Sequence, residues 1–492
     1  MGVKTGETSL GSKTATGVFW TFLEQLGRRG ISVLVTILLA RFLAPGDFGL
    51  IAMVSVFFAF ANALMDAGFR QALVRKKEVT QADYATMFYV NITLGLVAYA
   101  ILFLFAPAIA SFYNEPRLVV LVRVVGLVVI INSFQLVQVV DLTRRLDFRT
   151  QFAVTVPSGI ISGATAVLMA WKGAGVWSLV AQMLISQVLI TASLWAVNRW
   201  RPTLEFSSGS FKELFGFGSK IFLSGFLDIL FRNIYVIVIA KLFSPAMTGY
   251  YFFATKIRDI ILDQFSYSVQ RVTFPALSSV QDDDQRLKNG FRKVIQATTY
   301  LIFPAMIFMA VLARPLFTVF LNPKWIPAVP FLQLICAAGL VYPLHIVNLN
   351  ILQVKGRSDL FLYLEIVKKI MITCVLLVSS RYGIKAILVG QIVTSIFAYI
   401  PNSYFSAKLI GYSVSEQLKD VFPILFVSVL GGAGALITGF IPQLMGKDLI
   451  LLIIQGAVAI VIFISTARLL RIQIQEIFWK ELIGSIRRSV NR

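Results

Sequence analysis

The sequence predicts an all-α integral membrane protein of about fourteen spanning helices, built as two parallel-repeat lobes of six helices with two more helices after them. Three observations predict it. Of 492 residues, 57% are hydrophobic and only 14% charged, whereas a soluble domain carries about a quarter charged because its surface faces water. Apolar stretches long enough to cross a hydrocarbon core of ~30 Å follow one another almost without pause. Lys and Arg gather in alternate connections between those stretches.

The first stretch, at roughly 12–42, carries Glu24, Arg28 and Arg29 where a cleaved leader would have an unbroken apolar core, so it reads as a retained helix. The second and third, at roughly 48–69 and 85–113, hold one acid, Asp66, between them. The fourth, roughly 117–140, adds Arg123, and the fifth and sixth, roughly 151–171 and 175–198, are free of charge. The seventh, roughly 215–243, holds Asp228 and Arg232; the eighth, roughly 249–274, holds Lys256, Arg258, Asp259 and Asp263. Five more run at roughly 293–313, 328–353, 359–380, 385–409 and 421–441, and a last one at 449–470. The tail spaces Ile474, Phe478, Leu482 and Ile486 helically among bases, which suits an amphipathic helix on the inner leaflet. The expected organisation is therefore a first lobe over 1–200, a cytoplasmic linker over 201–212, a second lobe over 213–412, two added helices over 413–470 and a tail over 471–492.

With both termini cytoplasmic, the inner connections include Arg70, Arg75, Lys76 and Lys77, then Arg144, Arg145 and Arg149, and the outer ones hold far fewer bases. A net charge of +21 dispersed in this way reflects topology and not a nucleic-acid partner. Trp171, Trp177, Trp195, Trp200 and Trp325 fall near helix ends, at expected headgroup level. Cys336 and Cys374 are isolated, and His345 is the sole histidine; helix packing is its ordinary role and a ligand or proton-relay role the alternative. No nucleophile and base, Gly-rich phosphate loop or metal-ligand spacing is evident, which argues against an enzyme, a metal and a cofactor.

An internal duplication is visible. The segment from Ala40-Arg41-Phe42 to Pro45 and Gly49 answers Ala240-Lys241-Leu242 to Pro245 and Gly249 at an offset of 200. Phe112-Tyr113-Asn114 answers Phe320-Leu321-Asn322 more weakly. Both pair helix n with helix n+6, so the halves share an orientation, a common way to build a transporter. Proline and glycine as plain helix punctuation would give a similar text.

Charges inside apolar stretches cost ~2.5–3.5 kcal/mol at mid-bilayer and should face protein or a wet cavity. Glu24 with Arg28, and Asp228 with Arg232, each place an acid four residues before a base on one helical face. Lys256, Asp259 and Asp263 share a face of the eighth helix, and Arg258 stands on another. A cavity lined by Arg28, Arg29, Arg232, Lys256 or Arg258, with Arg123 nearby, would draw in a diphosphate. The acids Glu24, Asp228, Asp259 and Asp263 would then hold the bases or exchange protons. Self-neutralised pairs and snorkelling bases explain the same residues without a ligand.

Leu39-Ala40-Arg41-Phe42-Leu43-Ala44-Pro45-Gly46-Asp47-Phe48-Gly49, Asp66-Ala67-Gly68-Phe69, Phe112-Tyr113-Asn114-Glu115-Pro116, Leu142-Thr143-Arg144-Arg145-Leu146-Asp147-Phe148 and Gly175-Val176-Trp177-Ser178-Leu179-Val180 together resemble the polysaccharide transporter family. It contains the colanic acid and teichuronic acid exporters and belongs to the multidrug, oligosaccharidyl-lipid and polysaccharide exporter superfamily. The resemblance covers nearly the whole chain and is sharpest over residues 15–200. It implies two six-helix lobes in a V shape, alternating access, residence in a bacterial cytoplasmic membrane and a polyprenyl-diphosphate-linked oligosaccharide as substrate. Polysaccharide polymerase machinery is the protein partner it implies, and membrane lipids surround it. It also implies cavity arginines on the first and eighth helices, for which Arg28 and Arg258 stand by position; coupling to Na+ or H+ stays open. Two rivals are a drug or small-cation antiporter of the same superfamily, which should favour buried carboxylates, and a membrane polysaccharide polymerase or ligase, which needs a long outer loop.

Overall fold

Helix is what a lipid solvent permits, since every backbone N–H and C=O must be satisfied within the chain. In the computed structural model, residues 25, 27, 29–441 and 448–476 are described, with residues 264–272 described by backbone alone. Among them there is no strand. Glu24, Arg28, Lys447 and the tail beyond residue 476 lie outside the described residues.

Helix α1 is described over 29–42. Then come α2 (Pro45–Asp66), α3 (Phe69–Arg75), α4 (Gln81–Tyr113), α5 (Leu118–Arg144), α6 (Phe148–Trp171), α7 (Trp177–Val197) and α8 (Ser208–Leu242). They are followed by α9 (Pro245–Ser278), α10 (Asp284–Phe320), α11 (Val329–Gly339), α12 (Tyr342–Val354), α13 (Ser358–Ser379), α14 (Ile384–Ile410), α15 (Val414–Thr438) and α16 (Asp448–Leu469). Among the described residues, eleven spans are long and apolar enough to cross a membrane, against fourteen expected. Of the expected spans outside that count, α1 is described only from residue 29, whereas α9 and α13 are interrupted by charge: Lys256, Arg258, Asp259 and Asp263 on α9, and Glu365, Lys368 and Lys369 on α13.

Helix starts follow side-chain chemistry. The Thr80 hydroxyl and Asp83 carboxylate form a capping box at α4, and Ser413 with Glu416 does the same at α15. Asp147, Ser207 and Asp283 cap α6, α8 and α10. Two elements were not expected. The Ala67-Gly68 pair, both at positive φ, bends the chain after α2, and α3 follows as a separate short helix. The tenth apolar stretch is two helices, α11 and α12, broken around Gly339 to Pro343, where proline supplies no N–H and disfavours helix before it. Ser395 Oγ donates to the Ala338 carbonyl at the break, 3.1 Å away.

The chain divides into two compact units, residues 1–249 and 250–492, so α8 groups with the first. In the first unit, α5 is the central element, with Leu121, Val125, Val129 and Val137 buried. Small residues let helices approach, as Gly95 does at Ser133 and Gly126 at Tyr99. The first turn of α9, residues 245–249, meets the first turn of α2: a Cβ on Gly49 would lie 2.7 Å from the Pro245 carbonyl carbon, and one on Gly249 would lie 2.7 Å from that of Pro45. The residues that match at an offset of 200 thus touch reciprocally. The weaker echo differs in backbone, because Asn114 is left-handed at the end of α4 and its counterpart Asn322 is extended. Residues of the expected linker are strapped to α4: Tyr89 Oη donates to the Thr203 carbonyl at 3.1 Å, and the Ser207 N–H donates to Thr86 Oγ1 at 2.9 Å.

In the second unit, Leu287, Phe291 and Ile295 of α10 pack with Val347 and Ile351 of α12, Ile424 and Val427 of α15, and Phe463 of α16. Two of the expected interfacial tryptophans are buried. Trp325 is fully enclosed, its ring centroid 4.4 Å from that of Phe253, and Trp200 is buried with Nε1 donating to Gln81 Oε1 at 2.9 Å. Trp171 and Trp177 are exposed, as headgroup-level rings should be.

Candidate functional site

In the first unit, Arg29 is half-buried on α1. Asp228 and Arg232 are both exposed on α8, four residues apart and so on one face. Arg123 of α5 has a local task. Pro107, inside α4, has no N–H to offer the Phe103 carbonyl four residues earlier. The Arg123 guanidinium lies 4.2 Å from the Phe103 ring centroid and its Nε reaches that carbonyl at 3.5 Å, a long contact.

In the second unit the candidates all stand on α9. Lys256 is exposed, its ammonium 5.3 Å from the Phe252 ring centroid, and Asp263 is exposed one face away from the core. Arg258 does not stand apart from the acids, as helical spacing suggested. Its Nε and Nη2 donate to Asp259 Oδ1 at 2.8 and 2.6 Å, and its side chain is 18% exposed against 42% for the acid. The stem fits beside Gly339 at the α11–α12 break: a Cβ there would sit 3.5 Å from Arg258 Cδ and 3.1 Å from Met306 Sδ. A well-buried guanidinium thus rests on a more exposed carboxylate beside a discontinuous helix. Such breaks recur where transporters bind their cargo.

His345, on α12, sits in a polar network. Asn402 Nδ2 donates to its Nδ1 at 2.8 Å, which leaves Nε2 to carry the proton it gives the Ser395 carbonyl at 2.9 Å. Both ring nitrogens of the neutral imidazole are thereby occupied by protein. Next to it, Gln417 Oε1 accepts from Asn348 Nδ2 and Tyr399 Oη, each at 3.0 Å, and Ser406 Oγ donates to Asn348 Oδ1. These bonds tie α12, α14 and α15 together. Among the described residues, no group of three or more His, Cys, Asp or Glu is arranged to hold a metal ion.

On the side expected to be cytoplasmic, Arg144 donates to the carbonyls of Leu73, Val74, Lys76 and Lys77 at 2.8, 3.1, 2.5 and 3.1 Å, closing the end of α3. Lys76 joins Glu213 at 2.8 Å and Asp83 at 2.9 Å. Hydrogen bonds to Glu213 and then Asp83 raise its ammonium pKa above the usual lysine value.

Sequence reasoning missed a chain of carboxamides in the first unit, running from Asn62 of α2 through Asn132 and Gln135 of α5 to Gln187 of α7. Their only signal in the sequence is an uncharged amide within an apolar stretch, which hardly interrupts it.

Comparison with known proteins adds four likenesses. A family model described as "Polysaccharide biosynthesis protein" matches residues 38–330. Teichuronic acid biosynthesis protein TuaB of Bacillus subtilis (strain 168) is 26% identical over 86% of this chain and 88% of its own, and succinoglycan biosynthesis transport protein ExoT of Rhizobium meliloti (strain 1021) is 27% identical over 68% of each. The fold is shared with lipid II flippase MurJ in an inward closed conformation, with a TM-score of 0.72 at 12% identity over 95% of this chain and 100% of that one.

Proposed function

We propose that this chain, which belongs to the polysaccharide biosynthesis protein family, is a multi-pass exporter that carries polyprenyl-diphosphate-linked repeat units from the cytoplasmic to the outer leaflet by alternating access. The observation that carries the proposal is its likeness over 68% of its length to a succinoglycan transport protein and over 86% to a teichuronic acid biosynthesis protein. It is a transporter and not an enzyme. It resides in a bacterial cytoplasmic membrane with both termini cytoplasmic, and polysaccharide polymerase machinery takes up what it delivers.

Bases hold the diphosphate, and the candidates are Arg28, Arg29, Arg123, Arg232, Lys256 and Arg258. Arg258 supports this role, because its fork already lies on a single carboxylate oxygen. A phosphate offers the same fork two oxygens and more charge, so exchange from Asp259 keeps the charge-assisted bonds while the acid, the more exposed partner, returns to water. Glu24, Asp228 and Asp263 neutralise bases between turnovers or exchange a proton with them. The drug antiporter rival expects carboxylates deeper than bases, and the Arg258–Asp259 pair has the opposite order.

Complementation tests the proposal: the gene should restore surface polysaccharide in at least one strain lacking its own exporter, across a panel of defined polysaccharides. Restored drug resistance in antiporter-deficient cells, with no polysaccharide recovered in any strain, would overturn it.

A further inference from the structure

The carboxamide chain in the first unit has a direction fixed by the backbone. Asn62 Nδ2 donates to the Phe58 carbonyl at 2.9 Å, and a carbonyl can only accept. Asn62 Oδ1 must then accept from Asn132 Nδ2 (2.8 Å), and Asn132 Oδ1 from Gln135 Nε2 (2.9 Å). Gln135 Nε2 also donates to Gln187 Oε1 at 3.0 Å. Reversing any one amide would set oxygen against oxygen or N–H against N–H, so the whole chain is polarised one way. At the glutamine end an acceptor and a donor are left over. Gln135 Oε1 is buried and accepts nothing, and Gln187 Nε2 donates to no described residue.

Depth adds a second constraint. Gln187 and Asn132 stand near the middles of α7 (Trp177–Val197) and α5 (Leu118–Arg144), and all four amides are half-buried, neither sealed in protein nor fully open. Partly exposed amides at that depth are costly against hydrocarbon and are placed where polar matter passes. An acceptor beside a two-hydrogen donor fits a hydroxyl, which gives one hydrogen bond and takes another. A phosphate has no use for the Gln135 oxygen, and a cation has none for the Gln187 nitrogen.

We propose that Asn62, Asn132, Gln135 and Gln187 form a subsite for the sugar hydroxyls of the carried headgroup, separate from the bases that take its diphosphate. This rests on the export reading above. A hydroxyl that reaches the buried Gln135 Oε1 as α5 and α7 part during turnover donates to it and accepts from Gln187 Nε2, while Asn62 and Asn132 keep both glutamines oriented.

The test uses the purified full chain in lipid nanodiscs and compares bare polyprenyl diphosphate with carriers bearing one glucose, galactose or N-acetylglucosamine. The wild type should bind at least one glycosylated carrier more tightly than the bare one. Gln187→Leu and Gln135→Leu should each cut that preference about five- to tenfold, the worth of one or two neutral hydrogen bonds, and leave bare-carrier affinity within about twofold. Within the chain Gln187→Leu breaks only the terminal hydrogen bond, from Gln135 Nε2, so it keeps the test informative if Gln135→Leu does not fold. An unchanged sugar preference in a folded variant, equal losses on bare and glycosylated carriers, or a wild type indifferent to sugar would each overturn the subsite while leaving export standing. A wild type that binds no carrier at all would overturn export and the subsite together.

Discussion

Replacing Gly49 by alanine should destabilise the first unit far more than the same change three residues earlier. A Cβ at Gly49 would lie 2.7 Å from the Pro245 carbonyl carbon and 3.0 Å from the Gly249 nitrogen, and closer still to the Pro245 oxygen. Ordinary carbon contacts begin near ~3.5 Å, so the first turns of α2 and α9 must part by roughly 1 Å. Both obstacles are backbone, and neither can rotate away. Overpacking of this kind costs about 1–3 kcal/mol, and the upper end applies where only whole helix turns can give. At about 2–4 °C per kcal/mol for a unit of this size, the expected fall in Tm is roughly 6–12 °C. Gly46→Ala is the internal control, because its Cβ would meet nothing nearer than 4.0 Å. Thermal unfolding of purified variants, followed by loss of the monodisperse peak, separates them; equal melting of Gly49→Ala and Gly46→Ala would refute the packing, and Gly249→Ala should reproduce the Gly49→Ala defect.

Arg144→Ala removes donors from four carbonyls at the end of α3, and should cost ~2–3 kcal/mol in denaturant unfolding, with Arg144→Lys recovering only part because an ammonium cannot span the same fork. Gln417→Leu strips the shared acceptor from buried Asn348 and Tyr399, and a loss of about 2–5 kcal/mol should appear as earlier proteolysis of the second unit. Arg258→Ala should abolish export in complemented cells with the protein still inserted, and Asp259→Asn should retain export, since it loses the resting partner and not the phosphate ligand. Export lost by Asp259→Asn and kept by Arg258→Ala would reverse the assigned roles.

Periodicity and charge were enough to read helices from this sequence, because in lipid an apolar run has few alternatives to helix. Uniform hydrophobicity also hid what mattered within the runs. Residues 328–353 look continuous, and only Gly339 and Pro343 mark the break that gives Arg258 its place. Helical spacing set Arg258 on a different face from Asp259, yet a long guanidinium stem reaches its sequence neighbour. Trp325 lies near a helix end whether it meets headgroups or Phe253, and sequence cannot tell these apart. The carboxamides escaped notice because an uncharged amide hardly interrupts an apolar stretch, although in a dry interior its hydrogen bonds are strongly directional. By contrast, the offset of 200 was legible because Pro45 and Pro245, Gly49 and Gly249 answer a steric demand that few other residues meet.

Reconstitution into vesicles with a fluorescent polyprenyl-diphosphate oligosaccharide in one leaflet, followed by quenching from outside, tests the export claim most directly. Translocation should require the wild-type chain, stop with Arg258→Ala, and not extend to a neutral polyprenol. Translocation at the rate of empty vesicles under imposed Na+ and proton gradients, or equal rates for the diphosphate and the neutral polyprenol, would contradict the export claim.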